Sequence, residues 1–331
     1  MSHRMDVYLT VDTEASIAGC FAAPDRYQPL LCEPVDGMVD GRSQALGFLL
    51  QTLQQSGLQA TFFTETLQSR YFGTEPMQRR AEQILEAGQD LQLHVHPCWR
   101  NFTDGRVIKT APDDHSTGRS VDELADTFSE AIERFEDWKL GSPVAVRTGN
   151  FSAGLDTFKA LNRVGLNVSS NISVATCPPT DPELHCLHNY RQIEGVVEVP
   201  LTAFESYSPQ GHKVQRPLAL TACSSHELIS SLDQAYAKDY DMVCLITHPF
   251  EFISRDSFRF DNMRPNLTNQ RRLQQLCQYL KTHSDRFNVT TFSKIDTKKV
   301  SIRNQDRQPL SGSYLSMLKR TAENYYTDHF C

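Results

Sequence analysis

Short apolar runs alternate along the chain with stretches whose apolar positions recur every three or four residues. In residues 6–12 (DVYLTVD), Val7, Leu9 and Val11 share one face, the period-two pattern of a strand. Residues 43–55 place apolar side chains at 46, 49, 50 and 53, with Ser43 as a cap and Gly57 as a stop, and so predict a helix. The same reading gives strands at 59–64, 91–96, 144–148, 166–171, 196–200, 242–248 and 288–292, and helices at 78–87, 155–164 and 269–283. The clearest helix is 120–138. Ser120 and Glu123 form a capping-box pattern, and Leu124, Phe128, Ile132 and Phe135 form a stripe. Ser224 and Glu227 repeat the box before a helix over 225–236.

Strands alternating with helices predict an α/β fold with a largely parallel sheet and helices outside it. Seven or eight such units suggest closure into a barrel. The polar, turn-rich segments 15–41 and 103–118 are expected as long loops over the C-terminal strand ends. Residues after about 298 are charged and weakly patterned, so residues 1–298 are expected to form the barrel and 299–331 a tail or packed extension.

Composition narrows the function. With 39% hydrophobic and 22% charged residues in 331, a sizeable core is expected and global disorder is not. A net charge of −7 disfavours a nucleic-acid partner. No run approaches the roughly 18 apolar residues of a membrane span. Residues 1–12 carry His3, Arg4 and Asp6 rather than the apolar core of a secretion signal. The nine cysteines are scattered without a CxxC pair, so reduced thiols and a cytoplasmic location are expected. Oligomeric state is not legible.

The polar residues that are costly to place in a core collect at strand ends: Asp12 and Glu14, His94 and His96, Arg147, and His248. In parallel α/β barrels that rim carries the active site. His94 and His96, spaced i, i+2, point the same way in an extended chain, as do Asp12 and Glu14. Two imidazoles and a carboxylate suit zinc or a similar divalent ion, leaving the other carboxylate free as a base. Arg147 is placed to keep Asp12 ionised, and His248 to act as a general acid. Serine hydrolase chemistry is disfavoured, because Gly149–Gly154 (GNFSAG) has one residue too many for a GxSxG elbow. Residues 226–230 (HELIS) fail as a HExxH zinc motif.

Taken in order, residues 10–14 (TVDTE), 60–63 (ATFF), Ala87-Gly88 before 93–97 (LHVHP), 147–151 (RTGNF) and 245–249 (LITHP) resemble the polysaccharide deacetylase family, carbohydrate esterase family four in its broad sense, over residues 6–295. The resemblance implies a distorted (β/α) barrel of about seven strands, one divalent metal, and hydrolytic removal of an acyl group from an amino sugar or hydroxyl. It implies Asp12 as base, Glu14, His94 and His96 as metal ligands, Arg147 as the arginine steadying the base, and His248 as acid. Zinc is the first expectation, with nickel, cobalt or iron also compatible. The substrate would be an acylated sugar or glycan precursor, N- or O-linked.

Two departures stand out. The family's usual second histidine lies four residues after the first, where this chain has Cys98, so the second ligand is His96 or Cys98. The HxHP form resembles a subgroup linked with cell-surface polysaccharide and lipopolysaccharide synthesis. Residues 167–171 (NVSSN) stand where an Asp-x-x-Asp-Trp motif is expected. Asn150, Trp99 and Phe151 are weaker candidates for sugar contacts, Trp99 either stacking on a pyranose or buried. The rival expectations are a non-catalytic sugar-binding relative and a hydrolase of small non-sugar amides.

Overall fold

The computed structural model describes residues 4–330 apart from 112 and 304. Its centre is a curled, mostly parallel half-barrel sheet. The strands are β1 (Met5–Thr13), β2 (Thr61–Glu65), β3 (Asp90–Val95), β4 (Ala145–Thr148), β5 (Val168–Ser169), β6 (Arg191–Ile193), β7 (Val196–Glu198), β8 (Met242–Thr247) and β9 (Phe287–Thr290). They run in the order β6-β7-β5-β4-β3-β2-β1-β8, with β9 also on β1. Every pairing is parallel except β6 with β7.

The expectation of about seven parallel strands is corrected in two respects. Nine strands join the sheet among the described residues, one pair of them antiparallel. Nor does a ladder close the gap between β7 and β8. Beyond β7 the chain meets Pro200, which has no N–H to donate. Instead Leu201 N–H still bonds the Ile172 carbonyl on the β5 side, while Thr202 N–H reaches across to the Cys244 carbonyl in β8. Strand β1 is also forked. One edge pairs with β8, while the other pairs with β9 over Met5–Tyr8 and then with β2 over Thr10–Thr13.

Helices α1 (Leu46–Ser56), α2 (Glu75–Glu86), α3 (Val121–Glu136), α4 (Leu155–Arg163), α5 (Ser225–Ala237) and α6 (Leu267–Thr282) lie near the expected positions. Both capping boxes form. Ser43 is not the N-cap of α1, which is Ala45, but its hydroxyl still accepts from the Gly47 N–H at 2.8 Å.

Strand parity sorts the side chains. Val7, Leu9 and Val11, Leu91, Leu93 and Val95, and Val243 and Leu245 belong to the large apolar cluster that includes the helices. The alternate positions Tyr8, Phe63, Ala145, Met242, Cys244 and Ile246 form a second cluster on the sheet's inner face. Thr10 and Asp12, Glu65, His94 and Arg147 have the inner parity too. They lie further along their strands, so a polar layer covers an apolar one.

Residues after 298 include ordered, packed structure. Leu310–Ser311 pairs in parallel with the strand Ala203–Tyr207, and helix α7 (Tyr314–Phe330) contacts α6. Arg320 Nη1 donates to Glu227 Oε1, both side chains being buried, while Ser224 donates to the other oxygen. The weak apolar pattern hid this helix because part of its anchoring is ionic. Arg320→Ala strands the buried Glu227 charge and should lower unfolding free energy by about 3 kcal/mol. Urea denaturation with an unchanged midpoint would contradict it.

Candidate active site

The parallel sheet brings the predicted strand ends to one level: His94 sits beside Arg147 on one side and Glu65 on the other, and Val11 beside Thr247. Arg147 is fully buried and Asp12 is 3% exposed. Arg147 Nη1 donates to Asp12 Oδ1 at 2.6 Å and to Thr10 Oγ1 at 2.9 Å. Nε and Nη2 donate to the Ser170 carbonyl and hydroxyl, at 3.2 and 2.8 Å. The guanidinium also lies 4.3 Å from the Phe63 ring centroid and 5.3 Å from that of Phe151. Thr10 donates its own proton to the Leu245 carbonyl at 2.6 Å, which turns a lone pair toward Arg147.

Arg147 therefore occupies Oδ1, and Oδ2 of Asp12 faces His248, whose Nε2 is 4.0 Å away. His248 Nδ1 lies 3.1 Å from Glu251 Oε1, and the imidazole stacks on Phe250. Burial opposes charging of this imidazole. The bond to Glu251 and that carboxylate's charge outweigh it, with Asp12 and Glu14 adding to them, and His248 is pushed up to about 9.

Across the rim, ligand atoms of Glu14, His94 and His96 lie within 4.8 Å of one another. Glu14 Oε2 is 3.0 Å from His94 Nε2 and 2.6 Å from His96 Nε2. Burial works against the Glu14 charge, yet His96 and His94 hold its carboxyl well below the usual range. His94 Nδ1 is 2.9 Å from the Arg147 carbonyl. A carbonyl only accepts, so Nδ1 carries a proton, and Nε2, which faces Glu14, is the atom that would turn its lone pair to a cation bound there. His96 Nδ1 faces Asp114 Oδ2 at 2.6 Å; burial opposes its charge, but Glu14 and Asp114 on either side push the imidazole well up, so Nε2 would give up its proton to a cation bound there. A carboxylate with two imidazoles so oriented is a donor set that fits a divalent cation.

Cys98 is 3% exposed and lies on the other side of His96, grouped with His96 and Asp114 rather than with Glu14. Burial and the Asp114 charge push its thiol well up, so it stays protonated.

Supporting groups complete the rim. Glu65, fully buried and pushed up to about 8 by that burial, accepts from the His96 N–H at 2.5 Å and the Leu67 N–H at 2.7 Å. Asn150 Nδ2 donates to Asp114 at 2.9 Å. Where an Asp-x-x-Asp-Trp motif was expected, Ser170 holds Arg147, and Asn171 Oδ1 accepts from the Thr148 N–H at 2.8 Å. Glu198 secures that segment through the Asn171 and Ile172 N–H groups.

Of the weaker sugar-contact candidates, Trp99 has no free face. It is 1% exposed and packs against Phe102 and Phe72, because the turn after His96 directs it into the core. Phe151 is buried with its ring near Arg147, and Asn150 is exposed at the rim. Sequence reasoning missed Asp114, Glu251, Glu65 and Ser170. Only Glu251 carried a local signal, three residues after His248 in HPFE.

No protein-family model and no curated protein matches the chain. Among solved structures, a Mycobacterium smegmatis protein assigned as a polysaccharide deacetylase matches with a TM-score of 0.56 and 16% identity, covering 94% of this chain and 96% of that one. A family 4 carbohydrate esterase from Streptomyces lividans in complex with acetate matches at 0.46 and 12%, covering 93% and 98%. A family 4 pseudoenzyme from Bacillus anthracis matches at 0.43 and 11%, covering 95% and 71%. The chain thus shares the overall fold of the mycobacterial protein.

Gly149 is where the site is tightest. A Cβ there would fall 2.2 Å from His96 Nδ1. Gly149→Ala should therefore displace the imidazole from Asp114 and Glu14 and weaken binding of added zinc by about tenfold or more. Zinc titration showing native affinity would contradict this placement.

Proposed function

We propose that the protein is a metal-dependent carbohydrate deacetylase of the polysaccharide deacetylase type. In this reading it hydrolyses an N- or O-linked acyl group on a sugar or glycan precursor. The observation that carries it is the free Oδ2 of Asp12 beside His248 Nε2, next to a two-histidine, one-carboxylate cluster. The fold shared with the mycobacterial protein supports the sugar substrate. The ligands are Glu14, His94 and His96, with zinc the first candidate. A divalent ion held there supplies Lewis acidity, polarising the acyl carbonyl and lowering the pKa of water to roughly 7.

The chain's own residues do the rest. Arg147 pairs with Oδ1 of Asp12 and directs Oδ2 toward the reaction. Oδ2 accepts a proton from the attacking water as its oxygen adds to the carbonyl carbon. When the carbon–nitrogen or carbon–oxygen bond breaks, His248 Nε2 gives its proton to the departing sugar atom. Glu251 is a positioning residue that holds the imidazole and favours its charged form. Asp114 and Glu65 position His96 through its ring and its backbone. Residues 1–298 form the catalytic unit, with 299–331 a packed extension. The HxHP form suits the subgroup linked with cell-surface polysaccharide and lipopolysaccharide synthesis, and the scattered cysteines suit a cytoplasmic setting. No helix among the described residues is long and apolar enough to cross a membrane.

Asp12→Asn should keep bound zinc and lose acetate release by about a thousandfold or more, whereas His94→Ala should lose the zinc as well. Elemental analysis paired with acetate assays on acetylated amino sugars checks both. Near-native acetate release by Asp12→Asn would remove the base assignment.

The charge on His248 sets a pH limb. Below about 9 the imidazole is protonated and has a proton to give; as pH rises through that value the acid is lost and kcat/KM falls. Glu251→Gln removes the main group that raises His248, so this basic limb should move to lower pH. A pH–rate profile whose basic limb stays put in the variant would contradict the role of Glu251.

A further inference from the structure

A cleft of about 480 Å³ opens next to His248, within the ~300–1,000 Å³ usual for small-ligand sites. Phe250 and Glu251, both in contact with His248, line it together with Ser254, Arg255, Arg264 and Asn266. Phe250 links the two regions: its ring stacks on His248 with centroids 4.8 Å apart, and the Arg255 guanidinium lies 5.5 Å from the same ring's centroid.

The charges in this cleft do not cancel. Glu251 is committed to His248, Thr247 and Thr221. Arg264 pairs with Asp256 at 2.8 Å, and Asn262 holds the other oxygen of that aspartate. Arg255 pairs with no carboxylate among the described residues. Its recorded contacts are the rings of Phe250 and of Phe260, the latter at 3.9 Å. Asn266 and Asn324 also line the cleft. Their side-chain carbonyls accept from the Asn269 N–H and from Arg272, leaving the amide N–H groups as donors. One uncompensated cation with neutral donors around it, in a protein of net charge −7, is a local preference for an anion.

Its place in the reaction follows from His248. The atom that receives this residue's proton belongs to the departing sugar, so the sugar side of the substrate lies against His248. A substituent of that sugar reaching across Phe250, whose ring stacks on His248, would enter the cleft. We infer that the cleft from Phe250 to Arg255 binds an anionic substituent, a phosphate or a carboxylate, on the sugar that leaves, and that Arg255 sets the preference for such substrates. This rests on the deacetylase reading for its catalytic consequence, but not for its binding consequence.

The test compares zinc-loaded wild type, Arg255→Ala and Arg255→Lys. Acetate release is measured with N-acetylglucosamine 6-phosphate, with N-acetylmuramic acid, and with neutral N-acetylglucosamine and N,N′-diacetylchitobiose. Binding of glucosamine 6-phosphate, which has no acetyl group to lose, is measured separately by calorimetry. The expected result is that the ratio of kcat/KM for anionic over neutral substrates falls about tenfold in Arg255→Ala and is partly restored in Arg255→Lys. Glucosamine 6-phosphate should bind about tenfold more weakly to Arg255→Ala. A wild-type preference for the phosphate or for the carboxylate supports the inference and identifies the anion. An unchanged substrate ratio together with unchanged glucosamine 6-phosphate affinity overturns it. Weakened binding without acetate release from any sugar leaves the anion site standing and removes the deacetylase reading instead.

Discussion

The Arg147–Asp12 pair is the contact around which the rim is organised. A fully buried guanidinium is tolerable only if its donors are satisfied and its charge is matched. Arg147, on β4, meets that condition with partners from three other strands: Asp12 and Thr10 on β1, the Ser170 carbonyl and hydroxyl just past β5, and the Phe63 ring on β2. Its backbone carbonyl also orients His94 on β3. One residue thus fixes which oxygen of the candidate base is engaged and which ring nitrogen of a candidate metal ligand carries a proton. Loss of either would disturb the other.

A second constraint is the layering of the inner face. Tyr8, Phe63, Ala145 and Met242 fill the lower part of the half-barrel with apolar surface, and the polar groups stand above them on the same strands. Such an apolar floor excludes water from beneath Asp12 and Arg147, which strengthens their attraction. It also leaves the charged groups few ways to relax, so each is tied by a further bond: Asp114 and Glu65 to His96, Glu251 to His248, Ser170 to Arg147. These partners come from loops and strand ends far apart in the chain. Together they turn exchangeable side chains into a set with fixed donors and acceptors.

How much of this was legible depends on the range of the interaction. Helices α3 and α5 were readable because a capping box and an apolar stripe are local. The placement of Asp12, His94, Arg147 and His248 was readable because parallel strands of inner parity must end on one rim. Strand β6 and the forked pairing of β1 were not: β6 has three residues, too few to show a period, and the fork depends on where β9 and β2 meet β1. Trp99 illustrates the limit: its sequence position beside the histidines suggested a sugar platform, but the turn beginning at Pro97 sends it into the core.

From sequence alone came the α/β alternation, the strand-end chemistry and the i, i+2 pairs, because spacing along an extended chain dictates which side chains share a face. Tertiary structure decided which oxygen of Asp12 is free, that Glu14 faces His94 and His96 while Cys98 lies behind with Asp114, and that Glu251 charges His248. It also decided that Arg255, with no carboxylate partner among the described residues, lies beside the rings of Phe250 and Phe260. The choice of the Asp12 oxygen and of the metal ligands turns on hydrogen-bond direction and burial between residues up to 135 positions apart in the chain, which no local pattern encodes; only Glu251, three residues after His248, left a local trace.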